Sequence, residues 1–193
     1  YLFKRQCLYE GRWHEAAAAE HIGMGLAGRA IGYVGFGNIG QDLYRLAEPF
    51  DMRHLVYDPY LNENAADGFD IERVDFETLL AQSDVIVLLC LLTDETHHLI
   101  NEGALHRMKN TAYLINVARG AIIDQAALAR ALVSGEIAGC GLDAYDPEPI
   151  AADDPLLKLH NANLTPHALG YTDEMIRLCS ELCVEAALKV RRG

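Results

Sequence analysis

An arginine, two carboxylates and a histidine fall just behind the later apolar runs of this 193-residue chain. The segments "NVARG" (116–120), "DAYDPEP" (143–149) and "TPHALG" (165–170) carry Arg119, Asp143, Glu148 and His167. These residue types suit the transfer of a hydride and a proton. Arginine grips a carboxylate through two parallel hydrogen bonds and polarises a neighbouring carbonyl. Histidine gives or takes a proton near neutral pH. A glutamate beside it favours the imidazolium and raises the histidine pKa. Such a pair predicts that reduction needs His167 protonated and falls away above that raised pKa, while oxidation does the opposite. Taken singly, each residue has an ordinary reading: a solvated Arg, an acidic loop, a His capping the next helix. Their order behind a second feature makes them a set.

That feature is "AIGYVGFGNIG" (30–40). Residues 30–34 read as a buried strand. Residues from 38 onward read as a helix, with Ile39, Leu43 and Leu46 at helical spacing. Gly35, Gly37 and Gly40 therefore sit where strand becomes helix. The first makes a tight turn, the second lets a pyrophosphate reach the backbone, and the third lets helix pack on strand. The free amides and dipole of the helix N-terminus hold the anion. Asp58 ends the next strand, about twenty residues on, where an acid accepts the ribose hydroxyls of an adenosine. A 2′-phosphate about 4 Å from Asp58 would be repelled by roughly 4 kcal/mol at an effective dielectric of about 20. Pro59 and Tyr60, not an arginine, follow the acid, so NAD is expected over NADP.

The elements that must position these residues alternate. Strands are predicted at 30–34, 53–58, 71–74, 84–92, 111–117, 136–143 and 162–165. Helices are predicted from 38, over 76–82 with Asp75 as N-cap, over 101–109, over 124–135 with Asp124 as cap and Gly135 as stop, and over 172–192. Such alternation makes a parallel sheet with helices on both faces, an α/β doubly wound fold. In such a sheet ligands bind at the carboxyl ends of the strands, where all the residues named above fall. Residues 1–27 do not fit the alternation and read as an arm or junction. No repeat or low-complexity tract is present.

Half the residues are apolar, so the chain is globular. A net charge of −12 argues against a nucleic-acid partner, which needs a basic face. The terminal "KVRRG" reads as cations at a helix end. No apolar run approaches the ~20 residues of a membrane span. Five cysteines (Cys7, Cys90, Cys140, Cys179, Cys183) form no Cys-x-x-Cys pair, so neither a disulfide framework nor a zinc site is suggested, and a reducing, cytoplasmic setting fits. A metal site among His97, His98, His160 and His167 is not expected: His97 and His98 are adjacent and should point different ways, and no His-x-x-x-His occurs.

Taken together, "LAGRAIGYVGFGNIGQDLYRLAEPFDMRHLVYDPY", "LLAQSDVIVLLCLLTDETHHLIN", "MKNTAYLINVARGAIIDQAAL" and "GLDAYDPEP…NANLTPHALGYTDEM" resemble the NAD-binding domain of the D-isomer-specific 2-hydroxyacid dehydrogenases almost end to end. The resemblance implies a single Rossmann-like domain over 28–193, NAD as cofactor and a small 2-keto or 2-hydroxy acid as substrate. It implies that Arg119 binds the substrate carboxylate and carbonyl, that His167 is the acid in reduction and the base in oxidation, and that Glu148 is its partner. Asn38 and Ile39 match pyrophosphate-facing residues, Asp58 the ribose acid, and Cys90 and Leu91 the wall of the adenine pocket. Leu91 stands where the family often has proline. Val117 and Ala118 match the strand end beside the nicotinamide ribose, Asp143 the acid that holds the carboxamide, and Gly170 the turn after the histidine. The family splits its substrate domain around this one, so the sequence is expected to be a fragment with little activity alone. The family also tends to dimerise through this domain, with Trp13 either at that contact or folded back on its own core. Some relatives serve as non-enzymatic, NAD-sensing corepressors, which stands as the alternative function.

Overall fold

A computed structural model describes residues 2–16, 23–62, 64 and 66–192. Seven strands form one wholly parallel sheet: β1 (Ala30–Val34), β2 (Arg53–Tyr57), β3 (Glu72–Arg73), β4 (Val85–Leu88), β5 (Tyr113–Asn116), β6 (Gly139–Leu142) and β7 (Ala162–Leu164), in the order β3-β2-β1-β4-β5-β6-β7. Sequence order runs outward from β1 to β3 and then returns to β4. The β1–β4 junction, with Ile31 opposite Val85 and Val34 opposite Leu88, is the place where connections diverge and a crevice opens.

Helices α1 (Leu2–Tyr9) and α2 (Trp13–Ala16) precede the sheet. Then come α3 (Asn38–Ala47), α4 (Phe76–Gln82), α5 (Glu102–Arg107), α6 (Gln125–Ser134) and α7 (Asp173–Arg192). Local signals set their ends. Asp75, Asn101 and Asp124 cap α4, α5 and α6 by accepting from the amides of Thr78, Ala104 and Ala127. Gly135 stops α6 in a left-handed conformation, φ 72°.

Alternate strand residues feed two cores. Leu88, Leu114 and Leu142 meet Leu79 of α4, Leu105 of α5 and Leu128 of α6 on one face. On the other, Ile31, Tyr33 and Val87 meet Tyr44 of α3, with Phe36 and Phe69 edge-on to their neighbours. Each fully buried side chain of this kind contributes roughly 1.5–3 kcal/mol.

Two expectations are corrected in detail. The α3 helix exists, but its buried face is Gly40, Tyr44 and Ala47; Ile39 and Leu46 are 68% and 72% exposed. The run at 84–92 leaves the sheet after Leu88, and its tail becomes a wall of the crevice. The α7 helix forms as expected, with Ile176, Leu182 and Val190 exposed along it. The side chains of Arg191 and Arg192 lie outside the described residues. Cys140 is buried, and that burial pushes its thiol up to about 12. Cys7 is buried too, while Cys90 is only half-buried.

Candidate active site

The three glycines behave as three different devices. Gly35 has φ +95°, and a Cβ there would lie 2.9 Å from the amide nitrogen of Cys90, so the turn is pressed against the chain leaving β4. At Gly40 a Cβ would come within 3.1 Å of the Gly35 carbonyl, which lets α3 start hard against the turn. A Cβ on Gly37 would meet nothing within 4 Å. Gly37 is also the N-cap of α3, and unlike the caps of α4, α5 and α6 it offers no side-chain acceptor. The first amides of α3 therefore have no side-chain cap, and the space over Gly37 is open, as a backbone-bound diphosphate requires.

A groove of about 670 Å³ runs from this turn across the β2 and β4 ends. Gly35, Gly37, Asp58, Cys90 and Leu91 all line it. Asp58 is fixed at both oxygens: one accepts the Phe36 amide and the other the Tyr60 amide, each at 2.9 Å. Each oxygen keeps a lone pair for a further donor. Across the mouth, the Tyr60 hydroxyl donates to Glu95 at 2.8 Å. Asn38 and Ile39 stand on the first turn of α3, beside the groove walls and not among them.

The chemical residues gather at the ends of β5, β6 and β7, three neighbours in the sheet. His167 has φ +53°, a conformation that few residues other than glycine adopt. Its Nδ1 lies 2.9 Å from both carboxylate oxygens of Glu148. Glu148 also accepts the Tyr145 amide at 3.1 Å. The His167 contact, aided by that amide and by the charge of Arg119, holds the Glu148 carboxyl below its ordinary range against the opposing effect of burial. With Nδ1 turned to an ionised carboxylate, Nε2 is left for a reacting group. Arg119 is exposed, and one of its nitrogens donates to the Ala118 carbonyl at 2.7 Å; among the described residues its other donors are uncommitted. Val117 and Ala118 precede it, exposed and half-buried in turn, and Gly170 lies exposed beyond the histidine.

Asp143 sits beneath His167, only 6% exposed. One oxygen accepts the Thr165 hydroxyl at 2.6 Å and the Ala168 amide at 3.1 Å; the other accepts the Leu169 amide at 3.2 Å. Burial opposes its ionisation, but these donors and the nearby His167 outweigh it, so its pKa is lowered. Asp143 thus braces the histidine loop and retains one lone-pair position for anything else.

Sequence reasoning missed two residues here. Asn116, fully buried, donates to the Arg119 carbonyl at 2.8 Å and accepts the Ala118 amide at 3.0 Å, which shapes the arginine loop. Gly120 lies so close to Tyr145 that a Cβ would fall 1.9 Å from its carbonyl carbon. A polar residue ending an apolar strand was the visible signal for Asn116; nothing local marked Gly120. His97 and His98 do not point apart as expected. Their rings stack with centroids 4.0 Å apart. The left-handed backbone of His98, φ +50°, turns its side chain alongside its neighbour's.

A parallel sheet with a glycine turn at its switch point and a paired acid and imidazole further along defines a dinucleotide-dependent class of α/β domain. The description of the D-isomer specific 2-hydroxyacid dehydrogenase, NAD binding domain, matches residues 3–168. The chain belongs to that family. A glyoxylate reductase of Korarchaeum cryptofilum is 43% identical over 185 residues, covering 95% of this chain and 56% of that protein. A D-3-phosphoglycerate dehydrogenase of Archaeoglobus fulgidus is 39% identical over 184 residues, 95% of this chain and 34% of that protein. A D-lactate dehydrogenase solved with NAD+ from Lactobacillus jensenii superposes with a TM-score of 0.88 at 28% identity, over 98% of this chain and 60% of that one. The chain spans about half the length, or less, of these curated relatives.

Proposed function

We propose that this chain seats NAD and supplies the reacting groups with which the whole protein interconverts a 2-keto acid and a D-2-hydroxy acid. The observation that carries the reading is the doubly contacted His167 Nδ1 with Arg119 on the adjoining loops. The cofactor supplies a hydride donor or acceptor when bound. Its diphosphate is held by the amides of Gly37, Asn38 and Ile39 over the gap that Gly37 leaves, its adenosine ribose by Asp58, and its adenine by Cys90 and Leu91. Val117, Ala118, Asp143 and Gly170 border the nicotinamide end. Arg119 binds the substrate carboxylate and polarises the keto oxygen. His167 gives a proton from Nε2 to that oxygen in reduction and takes it back in oxidation. Glu148 holds the imidazole in the tautomer that leaves Nε2 facing substrate, and stabilises its charged form.

The length of the relatives beyond this chain supports a second, substrate-binding domain that closes over these loops, excludes water and selects the acid. Trp13, 66% exposed, is not folded onto the core, which supports a homodimer contact through the arm. A reducing, cytoplasmic setting agrees with the unpaired cysteines. No described helix is long and apolar enough to cross a membrane. The test is a steady-state screen of the intact protein with NADH against glyoxylate, hydroxypyruvate and phosphohydroxypyruvate. Turnover of at least one, lost in Arg119→Ala, is expected; no turnover of any 2-keto acid despite NADH binding would favour the non-enzymatic sensor.

A further inference from the structure

His97, His98 and Asp146 lie outside the groove and take no part in the chemistry assigned to Arg119, Glu148 and His167. One ligating atom from each of the three comes within 4.8 Å of the other two. The two rings stack, with centroids 4.0 Å apart and planes 23° from parallel. The backbone under this cluster is anchored and the side chains are not. The His98 amide donates to the Ala121 carbonyl at 2.8 Å, and the Asp146 amide donates to the Gln125 side chain at 3.2 Å. Among the described residues, no hydrogen bond engages the His97 or His98 ring nitrogens or the Asp146 carboxylate. Two imidazoles and a carboxylate, uncommitted and close together, form a donor set suited to late first-row divalent ions rather than to magnesium or calcium.

We propose that His97, His98 and Asp146 form a binding site for a divalent transition-metal ion of the zinc class. Three protein ligands with water completing the shell is a familiar arrangement for zinc. Zinc–ligand bonds of about 2.0–2.2 Å place ligand atoms of a tetrahedral site roughly 3.4 Å apart. From separations within 4.8 Å the three atoms must therefore close by up to about 1.4 Å, and the His97 ring must turn out of its stack on His98; exposed His97 and Asp146 can do both by side-chain rotation. The ion would tie the segment after β4 to the segment that carries Glu148, two residues beyond Asp146. Its role is to brace that loop, and it does not depend on the dinucleotide reading.

The probe is Co2+, titrated into the chain in a Cys179→Ser/Cys183→Ser background, because those exposed thiols stand four apart on α7 and are competing ligands. The expected result is one Co2+ per chain with the visible bands of a nitrogen and oxygen site, displaced by Zn2+. His97→Ala, His98→Asn and Asp146→Asn should each weaken binding at least about 10-fold, while His106→Ala leaves it unchanged. Independently of any variant at the site, bound Co2+ should broaden the NMR signals of residues 97, 98 and 146. Absence of saturable binding, affinity unchanged in the His97→Ala/Asp146→Asn pair, or broadening centred elsewhere would overturn the proposal.

Discussion

Gly120 and Tyr145 touch backbone to backbone: a Cβ on the glycine would lie 1.9 Å from the carbonyl carbon and oxygen of the tyrosine. The contact joins the loop holding Arg119 to the loop holding Glu148, so the two reacting regions share one rigid seam. The obstacle is main chain, which cannot rotate away. Gly120→Ala should therefore cost at least about 1–3 kcal/mol and displace both loops. Thermal unfolding should show a lower midpoint, and kcat/KM of the intact protein should fall more than NADH affinity does.

In the proposed reaction Glu148 would act on substrate only through His167, which it contacts at 2.9 Å. Glu148→Gln keeps the shape but removes the charge, and a neutral amide can present its NH2 to Nδ1 and reverse the tautomer. A loss in kcat/KM of about 10²-fold or more is expected in the intact protein. NADH affinity by calorimetry should stay within about threefold, because Glu148 lies beyond the groove lined by Gly37 and Asp58. Equal losses in binding and turnover would mean that Glu148 shapes the cofactor site instead.

Asp58 should discriminate between the dinucleotides. Calorimetry should find NADH bound much more tightly than NADPH, since the 2′-phosphate would approach a carboxylate. Asp58→Asn preserves an acceptor for one of the Phe36 and Tyr60 amides and removes the charge. It should narrow the NADH-to-NADPH ratio by about tenfold or more, equivalent to roughly 1.4 kcal/mol. An unchanged ratio would remove Asp58 from the ribose site.

Asp84 links stability to pH. Its carboxylate is 7% exposed; burial opposes ionisation, but the Ala30 amide at 2.9 Å, Lys109 at 3.1 Å and Arg29 at 3.3 Å outweigh it and lower the pKa. A folded-state pKa below the unfolded one means that the unfolded chain binds the proton more readily. The stabilisation is then full above the ordinary carboxylate range and is lost as the pH falls through the folded value. Urea unfolding should show Asp84→Asn less stable than the parent by about 1–3 kcal/mol at neutral pH, with the gap shrinking toward about pH 3. A gap that does not depend on pH would deny the ionised network.

What could be read from the sequence was local. Asp75, Asp124 and Gly135 announce helix ends because their effect is made within one turn. The glycine turn declares itself because the close backbone approach at Gly35 and Gly40 leaves little room for a side chain. The buried face of α3 was misjudged for a tertiary reason: Tyr44 is drawn inward by Phe69 and His54, with ring centroids 5.1 and 4.5 Å away, and this leaves Leu46 outside. Gly120 is required by a residue 25 positions on, and no single sequence displays that relationship. His97 and His98 were misjudged because the usual divergence of neighbouring side chains assumes a regular backbone, which φ +50° at His98 breaks. Asp143 was expected to hold the nicotinamide carboxamide; its bonds that brace residues 165–169 emerged only from the geometry.

The central claim is that the amides at the start of α3 seat a dinucleotide whose reactive end lies beside Arg119 and His167. A crystal of the chain grown with NAD+ tests it most directly. The diphosphate should rest over Gly37 within hydrogen-bond reach of the Asn38 and Ile39 amides, with the ribose on Asp58 and the nicotinamide facing His167. A groove left empty at saturating NAD+, or a dinucleotide bound with its nicotinamide away from His167, would contradict the account.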